Sequence, residues 1–253
     1  MNSISVKVIN QLKDNYSFIL SNQSKDACVI DPADSYPIIE YVNKYSLKIK
    51  DIFITHHHKD HTAGTEGILK NFPNVNIHSP SSHIEYTRFV LRNDDEIETA
   101  INTFKIISTP GHTLDHIIYL DNSHKILFCG DTLFRLGCGR VFEGNLKQMF
   151  ASLQKINELD DNLKVYCGHE YTLNNLKFLE NILNKKELFF NIRQKIEEEL
   201  RVSKKSVPFN LIEEKSYNLF LNQNSKIGSL IKKELGLNNF DLFQHLREKK
   251  DNF

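Results

Sequence analysis

The chain predicts an α/β fold followed by an all-helical region. Three observations carry this. Strand-like and helical stretches alternate through roughly the first 170 residues. Helical spacing alone follows from there to the end. Composition is that of an ordinary globular protein, with 253 residues, 40% hydrophobic and 25% charged. That length suits one large domain or two modest ones. The change of character places the expected boundary at 169/170, giving segments 1–169 and 170–253.

The elements follow in order. Ser5-Val6-Lys7-Val8-Ile9 alternates as a half-buried strand does. Lys13-Asp14-Asn15 is turn-like, and Tyr16 to Leu20 returns as a strand. Ala27-Cys28-Val29-Ile30 is a short apolar run that stops at Asp31-Pro32. Residues 35–46 have helical spacing through Ile38, Ile39, Tyr41 and Val42. Lys50 to Ile54 is again a strand, and 62–70 a helix. Strands are expected near 75–78, 103–108, 116–121, 126–129 and 164–167, with a helix over 145–159. Beyond 170, charged helical spacing covers 172–203, Pro208 punctuates, and helices are expected over 211–222, 225–235 and 239–250.

Zero formal net charge gives no general attraction to nucleic acid or membrane. The charge is uneven: residues 171–253 carry 15 Lys/Arg against 11 Asp/Glu, a mild bias suited to an anionic small molecule. Cys28, Cys129, Cys138 and Cys167 are scattered without a CxxC, so free thiols in a reducing cytoplasm are expected. The first ten residues lack the apolar stretch of a signal peptide. No run approaches the ~18 apolar residues of a membrane span.

The densest chemistry is Thr55-His56-His57-His58-Lys59-Asp60-His61, directly after Ile52-Phe53-Ile54. Four imidazoles and a carboxylate at a strand end form a ligand-rich loop. The spacing His-x-His-x-Asp-His offers two pairs of ligands to two metal ions. Imidazole and carboxylate suit zinc, iron or manganese, and the lack of nearby thiolates argues against a closed structural zinc site. Three further loops follow apolar runs: Thr109-Pro110-Gly111-His112-Thr113, Cys129-Gly130-Asp131-Thr132 and Cys167-Gly168-His169-Glu170. A lone histidine after a strand is more often structural. Four such loops in one chain outweigh that reading.

These loops resemble the metallo-β-lactamase superfamily, which implies a four-layer αββα sandwich with metals at one edge. Carried over residue by residue, His56, His58 and His112 would hold one ion. Asp60, His61 and His169 would hold the other, and Asp131 would bridge both. Gly130-Asp131-Thr132-Leu133-Phe134, Gly137-Cys138-Gly139-Arg140-Val141-Phe142-Glu143-Gly144 and Cys167-Gly168-His169-Glu170-Tyr171-Thr172 are similar to the glyoxalase II family, the hydroxyacylglutathione hydrolases. So is the helical extension.

The resemblance implies a thioesterase with two divalent ions, zinc first, iron or manganese otherwise. Its substrate would be S-D-lactoylglutathione, cleaved to D-lactate and glutathione by a metal-bridged hydroxide in methylglyoxal detoxification. Asp60 and Asp131 would be the catalytic carboxylates. Arg140, Tyr171, Arg247 and Lys250 match the positions that hold glutathione. Read without the resemblance, Arg247 and Lys250 are a solvated helix end. His116 is expected beside a ligand as a hydrogen-bond partner. Cys138 belongs to a tight loop. His78, His83, His124 and His245 are ordinary polar residues. The chain departs from the family pattern at Asp115, where glycine is usual, at Asn222, where arginine is usual, and at Phe142, which lacks a hydroxyl. A cytoplasmic monomer is expected. Three rivals remain: a mononuclear iron persulfide dioxygenase, an RNA nuclease of the same fold, and a non-enzymatic metal binder.

Overall fold

The computed structural model describes residues 3–253. They pack as two compact units: one runs through Ser108 and adds Asp115–Gly130, the other is Thr109–Leu114 with Asp131–Phe253. The boundary at 169/170 read from the sequence is one of composition, whereas these units are defined by packing.

The first unit contains β1 (Ser5–Gln11), β2 (Asn15–Ser21), β3 (Asp26–Ile30), α1 (Ser35–Tyr45), β4 (Lys48–Phe53), α2 (Lys59–Thr62), α3 (Thr65–Asn71), β5 (Asn76–Ser79), β6 (Phe89–Val90), β7 (Glu96–Glu98), β8 (Thr103–Ser108), β9 (Ile117–Asp121) and β10 (Ile126–Gly130). Strands β1 to β6 form one sheet in chain order. It is antiparallel through β3 and parallel from β3 to β6. Cys28 to Ile30 and Ile52 to Ile54 are fully buried, which is why those strands read as continuous apolar runs. Strands β7 to β10 form an antiparallel meander.

Ile38 and Val42 of α1 and Ile68 of α3 join Ile19, Val29, Ile52 and Ile77 of the first sheet in one apolar cluster. On the other face Phe18 meets Phe128 at 5.2 Å between ring centroids, and Phe53 meets Phe104 at 5.1 Å and Tyr119 at 5.3 Å. Helix, sheet and sheet therefore stack in this unit. Helix α1 begins at Asp34, whose carboxylate accepts from Tyr36 N, and ends where Ser46 turns left-handed at φ 53°.

The second unit contains β11 (Leu133–Phe134), β12 (Gly137–Cys138), α4 (Leu146–Asn157), β13 (Lys164–Cys167), α5 (Thr172–Leu183), a 3₁₀ turn (Lys186–Phe189), α6 (Phe190–Ser203), β14 (Phe209–Asn210), α7 (Leu211–Tyr217), α8 (Lys226–Leu235) and α9 (Asn239–Asp251). A capping box of Asn145 and Gln148 starts α4. The helical span expected over 172–203 is broken, because Asn184 adopts φ 49° and ends α5. The span expected over 211–222 stops at Tyr217. Asn218 turns extended there, and its amide donates to the carbonyls of Phe134 and Gly137.

A buried polar network ties this unit to its short hairpin. The Arg135 guanidinium donates to Glu199, Glu213 and the Ser206 carbonyl. Glu214 is fully buried and accepts from Leu136 N at 2.7 Å and from Asn218 at 2.9 Å. Burial pushes its carboxyl up to about 7. Among the described residues no helix is long and apolar enough to cross a membrane.

Candidate metal centre

Strand β4 delivers the histidine loop, and a network below the loop fixes its rings. Asp31 is buried at the end of β3. Its carboxylate accepts from Thr55 N and Thr55 Oγ1, each at 2.7 Å, and from His61 Nδ1 at 3.0 Å. Thr55 Oγ1, having donated its hydrogen to Asp31, accepts from His56 Nδ1 at 3.0 Å. Both rings are thereby set with the proton on Nδ1, which assigns ligation to Nε2. Metal-binding histidines are commonly oriented this way.

His56 Nε2 lies 3.1 Å from His58 Nδ1. Two donors on one tetrahedral ion, each about 2.0–2.1 Å away, sit roughly 3.3 Å apart. Asp60 Oδ2 lies 3.7 Å from His61 Nε2. His56 and His61 are buried, while the Asp60 side chain is 38% exposed.

The second unit holds the other three predicted ligands, brought together from residues far apart in sequence. His112 Nδ1 donates to the Arg140 carbonyl at 2.8 Å, again assigning Nε2 to ligation. Asp131 Oδ2 lies 3.4 Å from His112 Nε2 and 3.3 Å from His169 Nε2. One carboxylate oxygen thus sits at donor–donor spacing from two imidazoles. The His169 ring stacks on Tyr171 at 4.8 Å, with 5° between planes. The donor chemistry, the burial and these spacings fit the binding of divalent metal.

Glycine is required beside two of these loops. Gly130 has φ 46°, and a Cβ there would stand 2.6 Å from Thr55 Oγ1 and 2.8 Å from His116 Nε2. Gly111 has φ 151°, and a Cβ there would stand 2.7 Å from Met149 Cα. His116 was expected to bond a ligand; its ring stacks on His56 at 4.8 Å. His57 pairs with Asp115 at 3.0 Å, so the carboxylate that departs from the family pattern engages the loop's variable histidine. His78 bonds Asp51 and lies between Phe53 and Phe89, and His124 bonds Asp121.

The predicted substrate-binding residues differ among themselves. Arg247 is only 3% exposed. Its guanidinium donates to the Cys138 carbonyl and to Asp251, each at 2.9 Å, and lies over Phe220. The Arg140 side chain is 59% exposed, with Nε 3.7 Å from Asp251. Lys250 is half-buried, donates to the Asn174 carbonyl, and lies 5.0 Å from the rings of Phe178 and Phe253. Desolvation, with Arg247 and Arg140 nearby, lowers its ammonium to about 8. Phe142 is exposed and sets its ring edge against His112. Asn222 donates to the Lys215 carbonyl and accepts from Asn224 N, closing the turn after α7.

Sequence reasoning passed over Asp31 and Thr55. Their only signal was position, a carboxylate at one strand end and a hydroxyl at the next.

Residues 15–169 match the metallo-beta-lactamase superfamily, which sets the class, and residues 170–253 match the hydroxyacylglutathione hydrolase C-terminus. A hydroxyacylglutathione hydrolase of Salmonella paratyphi C is 39% identical over 99% of this chain and all of its own length. That of Citrobacter koseri is 37% identical over the same shares. The chain belongs to the hydroxyacylglutathione hydrolase family. The crystal structure of ETHE1 from Myxococcus xanthus superposes with a TM-score of 0.67 over 98% of this chain and all of that one. At 22% identity it shows the shared fold.

Proposed function

We propose that this protein hydrolyses S-D-lactoylglutathione and related 2-hydroxyacyl glutathione thioesters with two divalent metal ions. The observation that carries the reading is the ligand geometry: buried imidazoles fixed to ligate through Nε2, and Asp131 Oδ2 held between His112 and His169. Full-length relatives named hydroxyacylglutathione hydrolase support the substrate class.

One ion would be held by His56, His58 and His112, the other by Asp60, His61 and His169, with Asp131 serving both. Zinc is the first expectation, and iron and manganese suit the same donors. When bound, such ions supply Lewis acidity toward a thioester carbonyl and lower the pKa of water toward neutrality. Asp60, the exposed carboxylate of the set, orients the attacking water. Asp31 keeps His56 and His61 in one tautomer through the reaction. The leaving thiolate is stable in water, so no side-chain acid has to protonate it.

Lys250 and Arg140 offer positive charge to the carboxylates of glutathione. Arg247 holds the loop that carries Arg140, and Tyr171, stacked on His169, would contact the glutathione moiety. In this reading residues 1–169 supply the chemistry and 170–253 the recognition. Four buried cysteines without disulfides suit a reducing cytoplasm, and the protein acts as a monomer.

The test is turnover of S-D-lactoylglutathione by the purified protein before chelation, after it, and after zinc or iron is restored. Loss and recovery with two ions per chain is the expected result. Two ions without turnover would move the substrate elsewhere. One iron with oxygen uptake on glutathione persulfide would make the protein a dioxygenase.

A further inference from the structure

Asp60 is more exposed than the histidine that follows it in the loop. It belongs to α2, a helix of four residues, and its side chain is 38% exposed while that of His61 is 1% exposed. A carboxylate in that setting has several rotamers open to it, and ordering it has an entropic cost. Asn15 opposes this freedom. Asn15 opens β2 and is 5% exposed. Its Nδ2 donates to the Asp60 carbonyl at 3.1 Å and to Asp60 Oδ2 at 3.0 Å. A single amide therefore fixes both the backbone and the carboxylate of this residue.

Asn15 is itself held. It pairs with Gln11 across the β1–β2 turn. Gln11 donates to the Asp34 carbonyl and accepts from Ala33 N at 2.8 Å. Ser17, on the same strand as Asn15, donates to the Asp31 carbonyl. The β1–β2 hairpin thus grips the 31–34 turn with the Gln11 and Ser17 side chains and Asp60 with that of Asn15. Asp31 in turn sets His61. We infer that Asn15 is a positioning residue for the second metal ion, presetting the Asp60 carboxylate beside His61. The inference rests on the binuclear reading above and adds a residue to it.

The chemistry favours an amide at this position. Its N–H groups donate to a carboxylate without adding charge, so Asp60 keeps its full negative charge for a cation. An acid here would face Asp60 with like charge, and a methyl group would remove both hydrogen bonds that Asn15 gives to Asp60. Partners that orient a ligating group typically change metal affinity about 10–100-fold when removed.

The experiment is calorimetric zinc titration of metal-free protein, with metal content per chain and melting temperature of the metal-free form. The wild type is compared with Asn15→Ala, Asn15→Asp, Asp60→Ala and the Asn15→Ala/Asp60→Ala pair. The expected result is about 10–100-fold weaker binding of the second ion in Asn15→Ala and a larger loss in Asn15→Asp. The first ion binds as in wild type, metal-free melting is unchanged, and the pair is no weaker than Asp60→Ala alone. Two ions bound by Asn15→Ala at wild-type affinity would overturn the inference and leave the binuclear reading standing. Equal weakening of both ions with lower metal-free melting would also overturn it, by making Asn15 a general fold residue. A wild type that takes one ion would remove the binuclear reading and this inference together.

Discussion

The proposed metal ligands and the proposed glutathione-binding cations are both charged or polar clusters in loops or at a helix end, yet they are built on opposite principles. Three of the five rings proposed as ligands have a hydrogen-bond partner behind them: Asp31 for His61, Thr55 for His56, the Arg140 carbonyl for His112. The cations are graded instead. Arg247 is locked under Cys138, Lys250 is half-buried against two phenylalanines, and Arg140 stands in water. Chemistry at a metal demands fixed geometry, whereas capture of a flexible anionic peptide tolerates a range of positions. The difference predicts unequal responses to similar mutations.

The largest effect belongs to the ligand set. Asp131→Ala removes the oxygen at donor spacing from both His112 and His169, and it is expected to abolish turnover and metal retention together. Metal analysis alongside a thioester assay checks this; retained stoichiometric metal would break the contrast at its strong end.

Next come the cations, where Arg247 and Lys250 separate. Arg247→Ala strips a buried hydrogen bond from the Cys138 carbonyl. It is expected to cost about 2 kcal/mol of stability, roughly 4–8 °C in Tm. Lys250→Ala leaves Tm nearly unchanged and raises KM about tenfold, the size of one hydrogen bond to a charged group, with kcat little affected. The pH profile sharpens this. The Lys250 ammonium is lowered to about 8 by desolvation, so it is charged at pH 7 and loses its proton above 8. Wild-type KM is therefore expected to rise between pH 7 and 9, and the Lys250→Ala profile to be flatter there. Equal Tm losses in the two variants would erase the gradation.

The smallest effect lies away from both clusters. Glu214 has a folded-state carboxyl at about 7, raised by burial above its unfolded value near 4.5. Between those values the folded state holds more protons than the unfolded one, so stability falls as pH rises through that window. Glu214→Gln keeps an acceptor for Leu136 and Asn218 but does not ionise. Its Tm relative to wild type is expected to climb by a few degrees from pH 5 to pH 8. A pH-independent difference would show that the network neutralises this carboxylate by other means.

Much of the fold was legible because long elements advertise their period. Helices α1, α4 and α9 and strands β4, β8 and β10 fall within two or three residues of expectation. Strands β6, β11, β12 and β14 have two residues each and β7 three, too few for any period to appear. The breaks at Asn184 and Asn218 depend on local backbone choice. At Asn218 the decisive bonds run to carbonyls over 80 residues away. The proposed ligands stand out for a related reason: histidine and aspartate beside glycine after an apolar run is a chemical signature. The residues that aim them, Asp31, Thr55 and Asn15, carry none. Burial of Arg247 was invisible because nothing in Arg-Glu-Lys-Lys reveals which side chain a hairpin carbonyl will accept from.

The state of the four thiols has a consequence for durability. Cys28, Cys129, Cys138 and Cys167 are all buried, and burial pushes the thiols of Cys28, Cys138 and Cys167 upward. Thiolate is the form that alkylating agents, peroxides and disulfides attack. Cys28, Cys138 and Cys167 therefore offer an electrophile little thiolate to attack. Buried sulfur is thereby a slow target for alkylation or oxidation in this fold.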